Sequence, residues 1–368
     1  MLINQANNNK KGKNMKNKLL LSSALVSGMI AGGSAIAQTS VTGSLDIHYR
    51  AHEFALSNGQ ASKRGFGRES QLNVQNKGKL NNGLDYAAGF ALEFDGNTST
   101  VGAPGAPSVT RTEASSISNE NLYIDIIAGN TTFTVGVDHV QNSTMSSVPQ
   151  VSNIIDQVGI GMGSTATNQI GATTKEAMYA GIVQVIPGTG LTASAIYAPN
   201  GGDFGSTDQQ ISANGRNSSY EIGLVGKKTF GVDGLNIHYF QNSERQQTSA
   251  TSDLKGKTYG IGYTIGQFGL GVEKHYTSRV TTTQALEEDV NAKVYGVTYA
   301  VDKNLTLGVS MLKNDKASSS INETIKSIQA GYNLGPVAVV GYVSKGTDVG
   351  YTSGNDIKEL AVRLSTSF

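Results

Sequence analysis

Leu360-Ala361-Val362-Arg363-Leu364-Ser365-Thr366-Ser367-Phe368 ends the chain, and its alternation narrows the fold to two classes. In an extended strand successive side chains point to opposite faces. Leu360, Val362, Leu364 and Phe368 then share one face, and Ala361, Arg363, Ser365 and Ser367 share the other. Two structures suit an amphipathic strand that finishes on an aromatic. One is an edge strand of a soluble sandwich; the other is a stave of a membrane-spanning β-barrel, which needs about 9–11 residues. The remaining segments must separate the two.

The same period of two recurs along the chain. Val41, Leu45, Ile47 and Tyr49 alternate with Asp46, His48 and Arg50; Leu84, Tyr86, Ala88, Phe90, Leu92 and Phe94 with Asp85, Gly89 and Glu93. Leu235, Ile237 and Tyr239 alternate with Asn236 and His238; Tyr259, Ile261, Tyr263 and Ile265 with Thr258, Gly260, Gly262 and Thr264. Such alternation predicts strands rather than helices. A lone charge inside a strand, such as Glu93 or Arg363, must face water, so the polar face needs an aqueous side.

The connections decide. Tight turns rich in Gly, Asn and Pro occur at Asn81-Asn82-Gly83, Gly129-Asn130, Pro187 to Gly190, Gly231 to Gly234, Gly266 to Gly269, Asp302-Lys303-Asn304 and Asn333 to Pro336. Their composition suits turns that need positive or preset φ. Longer polar segments separate them at about 52–68, 96–119, 139–173, 199–218, 241–256, 277–291, 313–325 and 344–355. Seven short and eight long connections join sixteen strands. A sandwich has no reason to keep its long connections on one side, whereas an outer-membrane barrel places short turns on the periplasmic side and long loops outside. Closure also removes the sheet edges that lipid would not tolerate. The predicted fold is all-β: a sixteen-stranded antiparallel transmembrane β-barrel.

The first 37 residues read as an address. Met15 opens a basic stretch with Lys16 and Lys18, an apolar run begins at Leu19, and Ala35-Ile36-Ala37 is an A-x-A cleavage site. Residues 1–37 are expected to be a signal peptide, with 1–14 an extension ahead of the true start, and 38–368 a single barrel domain. Those 37 residues carry five of the 29 Lys and Arg and no acid, so the mature chain has 24 basic against 28 acidic residues, a net of −4. No nucleic-acid partner is expected from that balance. The absence of cysteine fits an exported chain without disulfides and excludes thiol chemistry.

Beyond these patterns, the chain resembles the sixteen-stranded general diffusion porins of Gram-negative bacteria. The resemblance rests on Gln38 to Asp46 at the mature start, Leu80-Asn81-Asn82-Gly83-Leu84-Asp85-Tyr86 through Leu92-Glu93, Asn121-Leu122-Tyr123 through Phe133-Thr134-Val135-Gly136, and the terminal Phe368. It implies a homotrimer in the outer membrane, contact with outer-membrane lipid and lipopolysaccharide, and a third loop folded into the pore. It also implies that Phe368 is an assembly signal read by the barrel-assembly machinery, and that the solutes are ions and small hydrophilic molecules. The alternatives are a substrate-selective porin, or a surface-binding or adhesion barrel with little conductance.

Candidate pore-lining residues follow from strand parity: Asp46, His48, Arg50, Asp85, Glu93, Asp125, Glu221, Glu359 and Arg363, with Glu69, Lys227, Glu273 and His275 on the same face. The third long loop, after Asp138-His139, adds Asp138 and Asp156 as constriction candidates and mixes Val151, Ile154, Ile155, Val158, Ile160 and Met162 into a polar segment. Such apolar content suits packing on an inner wall. Acids outnumber bases in the inward set, which predicts weak cation preference. Arg50 and Arg363, on strands that adjoin in a closed barrel, are expected to reach across the pore. Tyr49, Tyr86, Tyr197, Tyr239, Tyr263, Tyr276, Tyr299 and Tyr332 suit an interfacial aromatic girdle without tryptophan. No G-x-S-x-G or H-E-x-x-H motif occurs, so neither catalysis nor a metal or cofactor is expected.

Overall fold

A computed structural model describes residues 38–54, 63–96, 115–140, 146–149, 151, 178–199, 218–244, 251–281 and 289–368. Residues 1–37, with the leader and its cleavage site, lie outside the described residues. The sheet contains sixteen strands: β1 (Gln38–Phe54), β2 (Lys63–Lys79), β3 (Asp85–Gly96), β4 (Ser115–Ala128), β5 (Thr131–Gly136), β6 (Tyr179–Ile186), β7 (Leu191–Ala198) and β8 (Ser219–Lys227), then β9 (Leu235–Glu244), β10 (Thr251–Ile265), β11 (Phe268–Thr281), β12 (Val290–Ala300), β13 (Leu305–Lys316), β14 (Glu323–Asn333), β15 (Val337–Thr347) and β16 (Ile357–Ser367). Each pairs antiparallel with its chain neighbours, and β1 with β16, so the sheet closes on itself.

The terminal strand is the closing stave. Its register on β1 runs from Ser44 opposite Ser367 to Phe54 opposite Ile357. Gly43 extends that pairing by one step, exchanging backbone hydrogen bonds with Phe368 at 2.8 and 3.0 Å. A methyl group at Gly43 would overlap the Phe368 ring, so the missing side chain makes room for the terminal aromatic.

Parity sorts the wall. Leu360, Val362 and Leu364 are exposed, as are Ile47, Phe90, Ile124, Phe133, Ile222, Ile261, Val309 and Ile328. Between them Glu93, Asp125, Glu221, Glu273 and Glu359 are buried. Apolar side chains outside and carboxylates inside suit a barrel standing in lipid around water. Rings gather on the outer face, with Tyr49 5.2 Å from Phe66 and Phe268 4.9 Å from Tyr299.

Wall height differs from the sequence expectation. β1 and β2 have 17 residues each, against 6 in β5 and 8 in β6. Segments read as long loops supply much of that height: 313–325 shrinks to a connection of residues 317–322 between β13 and β14. The cause is composition. Above the apolar band both faces become polar, and the period-two contrast fades while pairing continues.

Candidate functional site: the lumen and its third loop

The third loop leaves β5 at Asp138, whose φ of 49° turns the chain sharply inward. The departure is pinned by an aromatic cluster. The Tyr179 hydroxyl accepts the backbone N–H groups of His139 (3.1 Å) and Val140 (2.7 Å). His139 stacks flat on Tyr123 with ring centroids 3.6 Å apart, and its Nε2 lies 3.0 Å from Asp125. Tyr123 reaches this position through a bulge between Gly89 and Ala91, opposite Asn121 at φ 50°.

Ser146 to Pro149 and Val151 lie on the opposite wall. Ser146 Oγ donates to Glu273 Oε2 at 2.6 Å, and the Ser147 N–H donates to the same oxygen at 3.0 Å. Ser147 Oγ sits 2.5 Å from His238 Nδ1, and His275 pairs with the other oxygen of Glu273. Glu273 is on β11, six strands round the barrel from β5. Loop residues that follow β5 in the chain therefore rest on the inward face six strands away.

A track of glycines receives the segment. Gly262, Gly271 and Gly296 are register partners across β10, β11 and β12, all on the inward face. A methyl group on Gly262 would overlap the Ser147 carbonyl oxygen, one on Gly271 would strike the Val148 backbone and Pro149, and one on Gly296 the Val148 side chain. Gly308 and Gly331 stand under Val151 in the same way. Absent side chains let loop backbone approach sheet backbone. Val148 then joins a buried cluster with Ala292, Val294, Leu312, Ile325, Val349 and Ile357.

The last loop closes that cluster from above. Glu323, wholly buried, accepts the Gly350 N–H at 2.8 Å and an Asn314 side-chain N–H at 3.0 Å. Sequence reading placed Glu323 in a loop and did not select it; alternation from Glu323 through Ile325, Ser327 and Gln329 was the available signal.

The sequence-selected residues occupy several levels of the wall. Asp46 and Arg363 face inward, joined by an ion pair, and Ser365 donates to the same carboxylate. Arg363 is thus held sideways against β1 instead of reaching across the pore. His48 lies over Gly67, in the gap left by its missing side chain. Arg50 stands opposite Ala361 in the β1–β16 ladder. His52 Nε2 pairs with buried Glu359 at 3.2 Å, with the Tyr342 hydroxyl donating to Glu359. Asp85 pairs with Lys79 at 2.6 Å beside the first short turn, at the periplasmic mouth and far from the third loop. Asn242 donates to Glu221 at 3.5 Å. Glu93 is buried on the inward face of β3, whereas Asp156 lies outside the described residues.

Comparison with known proteins agrees with this geometry. A family model described as Gram-negative porin matches residues 22–352. The chain belongs to that family. It is therefore a porin, a multi-pass β-barrel of the outer membrane. The anion-selective porin from Comamonas acidovorans superposes with a TM-score of 0.63 at 14% identity, covering 90% of this chain and 100% of that one. A triple mutant of the Rhodopseudomonas blastica porin gives a TM-score of 0.58 at 13% identity, with the same coverage. At such identity these neighbours establish the barrel and nothing finer. Among curated proteins none matches the sequence significantly.

Proposed function

We propose that this porin is a passive, weakly cation-preferring channel for ions and small hydrophilic solutes, narrowed by its third loop. The observation that carries the reading is the seat of Ser147 to Pro149 and Val151 on the inward glycine track of β10–β14, six strands from β5, which sets loop backbone inside the aqueous passage. Ion sign is a matter of wall charge. Asp46, Glu69, Asp85, Glu93, Asp125, Glu221, Glu244, Glu273, Glu323 and Glu359 face inward among the described residues, against Arg50, Lys77, Lys79, Lys227, Lys316 and Arg363. A surplus of carboxylates beside a narrow passage lowers the barrier for cations. The Comamonas neighbour, named as anion-selective, shares only the fold, so sign follows from side chains rather than from the barrel.

The functional unit in this proposal is a homotrimer. β5 to β8 form the low wall, and the outward side chains of β4–β8, such as Ile124, Ile126, Phe133, Val135, Ile182 and Ile222, include no charge among the described residues. A continuous uncharged apolar face on short strands suits burial against a second copy. Residues 1–37 serve as the export signal, and the exposed ring of Phe368 as the mark read during barrel assembly. Planar-bilayer recording tests the channel reading: trimers give conductance in three equal steps, and a potassium chloride gradient gives a reversal potential of the sign for potassium permeation. Single steps would remove the trimer, and the opposite sign would remove the cation preference.

A further inference from the structure

Every histidine of the chain stands in the lumen. There are five. His48, His52, His238 and His275 share the inward parity of β1, β9 and β11, and His139 opens the third loop against inward Asp125. Imidazole is the side chain whose charge ordinarily changes between about pH 5 and pH 8, whereas carboxylates ordinarily titrate near about pH 4. Across the upper range, ordinary side-chain titration therefore alters charge inside the passage and nowhere else on the molecule.

The five divide by access to water. The His238 and His275 side chains are 2% and 1% exposed, sealed with Glu273 beneath Ser147, and belong to the clamp that seats the third loop. His52 and His139 are 21% and 23% exposed, and His48 is partly exposed over Gly67. These three stand on β1 and beside β4, outside the loop's seat on β10–β14. Their surroundings carry both signs. His48 lies between Asp46 and Arg50 along its own strand, opposite Arg363 on β16, with Glu69 two residues beyond its partner Gly67 on β2. His52 meets Glu359 at 3.2 Å, with the Tyr342 hydroxyl on the same carboxylate, Arg50 two residues back and Lys63 as its ladder partner on β2. His139 meets Asp125 at 3.0 Å, with Asp138 before it and the Tyr123 and Tyr179 rings around it.

We propose that His48, His52 and His139 are specificity-determining residues that let protons set the ion sign of the channel. Uncharged, they leave Glu359 and Asp125 to attract cations. Charged, they cancel those two carboxylates and add a cation beside Arg50 and Arg363. The inward wall has ten carboxylates against six Lys and Arg among the described residues, a net of four negative charges. Three imidazolium groups leave a net of one. Acidification within this range thus moves permeation toward anions, because wall charge sets the relative barriers for the two signs. The inference deepens the reading of the lumen as a charge-selective passage, and its direction holds whichever sign the channel prefers at neutral pH.

The test records the full-length mature porin in planar bilayers under a potassium chloride gradient, with both sides at the same pH. A unit charge about 7 Å from an ion in water shifts its energy by about RT, less with salt screening. From about pH 8 to about pH 5.5 the wild-type cation-to-anion permeability ratio should therefore fall by about tenfold. The combined substitutions His48→Gln, His52→Gln and His139→Gln should abolish most of that fall. A constant wild-type ratio overturns the proposal. So does a full fall in the triple variant, which would assign the titration to the carboxylates or to His238 and His275. Should the triple variant fail to assemble, His52→Gln alone should remove about a third of the logarithmic change, as one of three similar charges; an undiminished fall in that variant overturns the proposal. The ratio at pH 8 tests the cation preference separately. An anion-preferring channel whose ratio still falls on acidification refutes that preference and keeps the histidine assignment, whereas a cation-preferring channel with a constant ratio does the reverse.

Discussion

Two parts of the third loop are held by opposite strategies. At β5 the chain is fastened by what side chains supply: the Tyr179 hydroxyl takes two backbone donors, His139 stacks on Tyr123, and Asp125 sits beside the imidazole. On β10–β14 it is received by what side chains omit, a glycine track over which backbone lies on backbone. The first part follows within three residues of β5 and gains only orientation from its contacts. The second part lies farther along the loop, ten or more residues past β5, so its position depends on fit. Pore size should therefore respond strongly to changes on the track and weakly to changes at the pin.

The largest effect is expected from Gly271→Val. The added side chain meets Val148 and Pro149, including backbone that cannot rotate away. Overpacking of this kind costs about 1–3 kcal/mol, and a loop docked without a covalent bond can relieve it by lifting off. The ratio of docked to undocked loop should fall by about fivefold to a hundredfold, seen as a rise in single-channel conductance with the thermal transition of the barrel retained. Unchanged conductance would show that the segment past Pro149, and not its seat on β11, sets the pore.

Glu273→Gln comes next. The amide keeps the shape and can still accept from Ser146 and Ser147, but it loses the charge that strengthens both bonds and the pairing with His275. Charge-assisted hydrogen bonds are roughly twice as strong as neutral ones, so the loss is about 1 kcal/mol. Brief openings to a larger conductance should appear in recordings, with the mean little altered. If openings are absent, the glycine track suffices without its carboxylate clamp.

These residues also mark how far the amino-acid sequence could be read. Strand number and the side carrying the long loops were legible because each rests on local chemistry: alternation within a strand and Gly, Asn or Pro in a turn. Strand ends were less so, as Lys313 and Glu323 show, because the polar-to-apolar contrast that betrays a strand exists only within the membrane. Inward parity could be read for Asp46 and Arg363, but their pairing depends on the β1–β16 register, which joins residues more than three hundred positions apart. Gly262, Gly271 and Gly296 stood on the polar face in plain view. Nothing local distinguishes a glycine that faces water from one that carries a loop, since what matters is the segment lying over it.

The smallest effect on the pore is expected at the pin, and it separates the two strategies most cleanly. Tyr179→Phe leaves the ring in its apolar cluster with Ile196, Ala198 and Val140 and removes only the hydroxyl. The N–H groups of His139 and Val140 then lose their acceptor, and an unsatisfied buried donor costs about 1–3 kcal/mol. That loss is felt by the barrel at β5–β7, where the strands are shortest and each bond is a larger share of the wall. Asp138 still follows directly from β5, so the loop still enters the lumen at the same point and Ser147 still reaches Glu273. The expected result is a lower melting temperature by circular dichroism with conductance unaltered. A conductance change as large as that of Gly271→Val would mean that orientation at the pin, and not fit on the track, holds the loop across the pore.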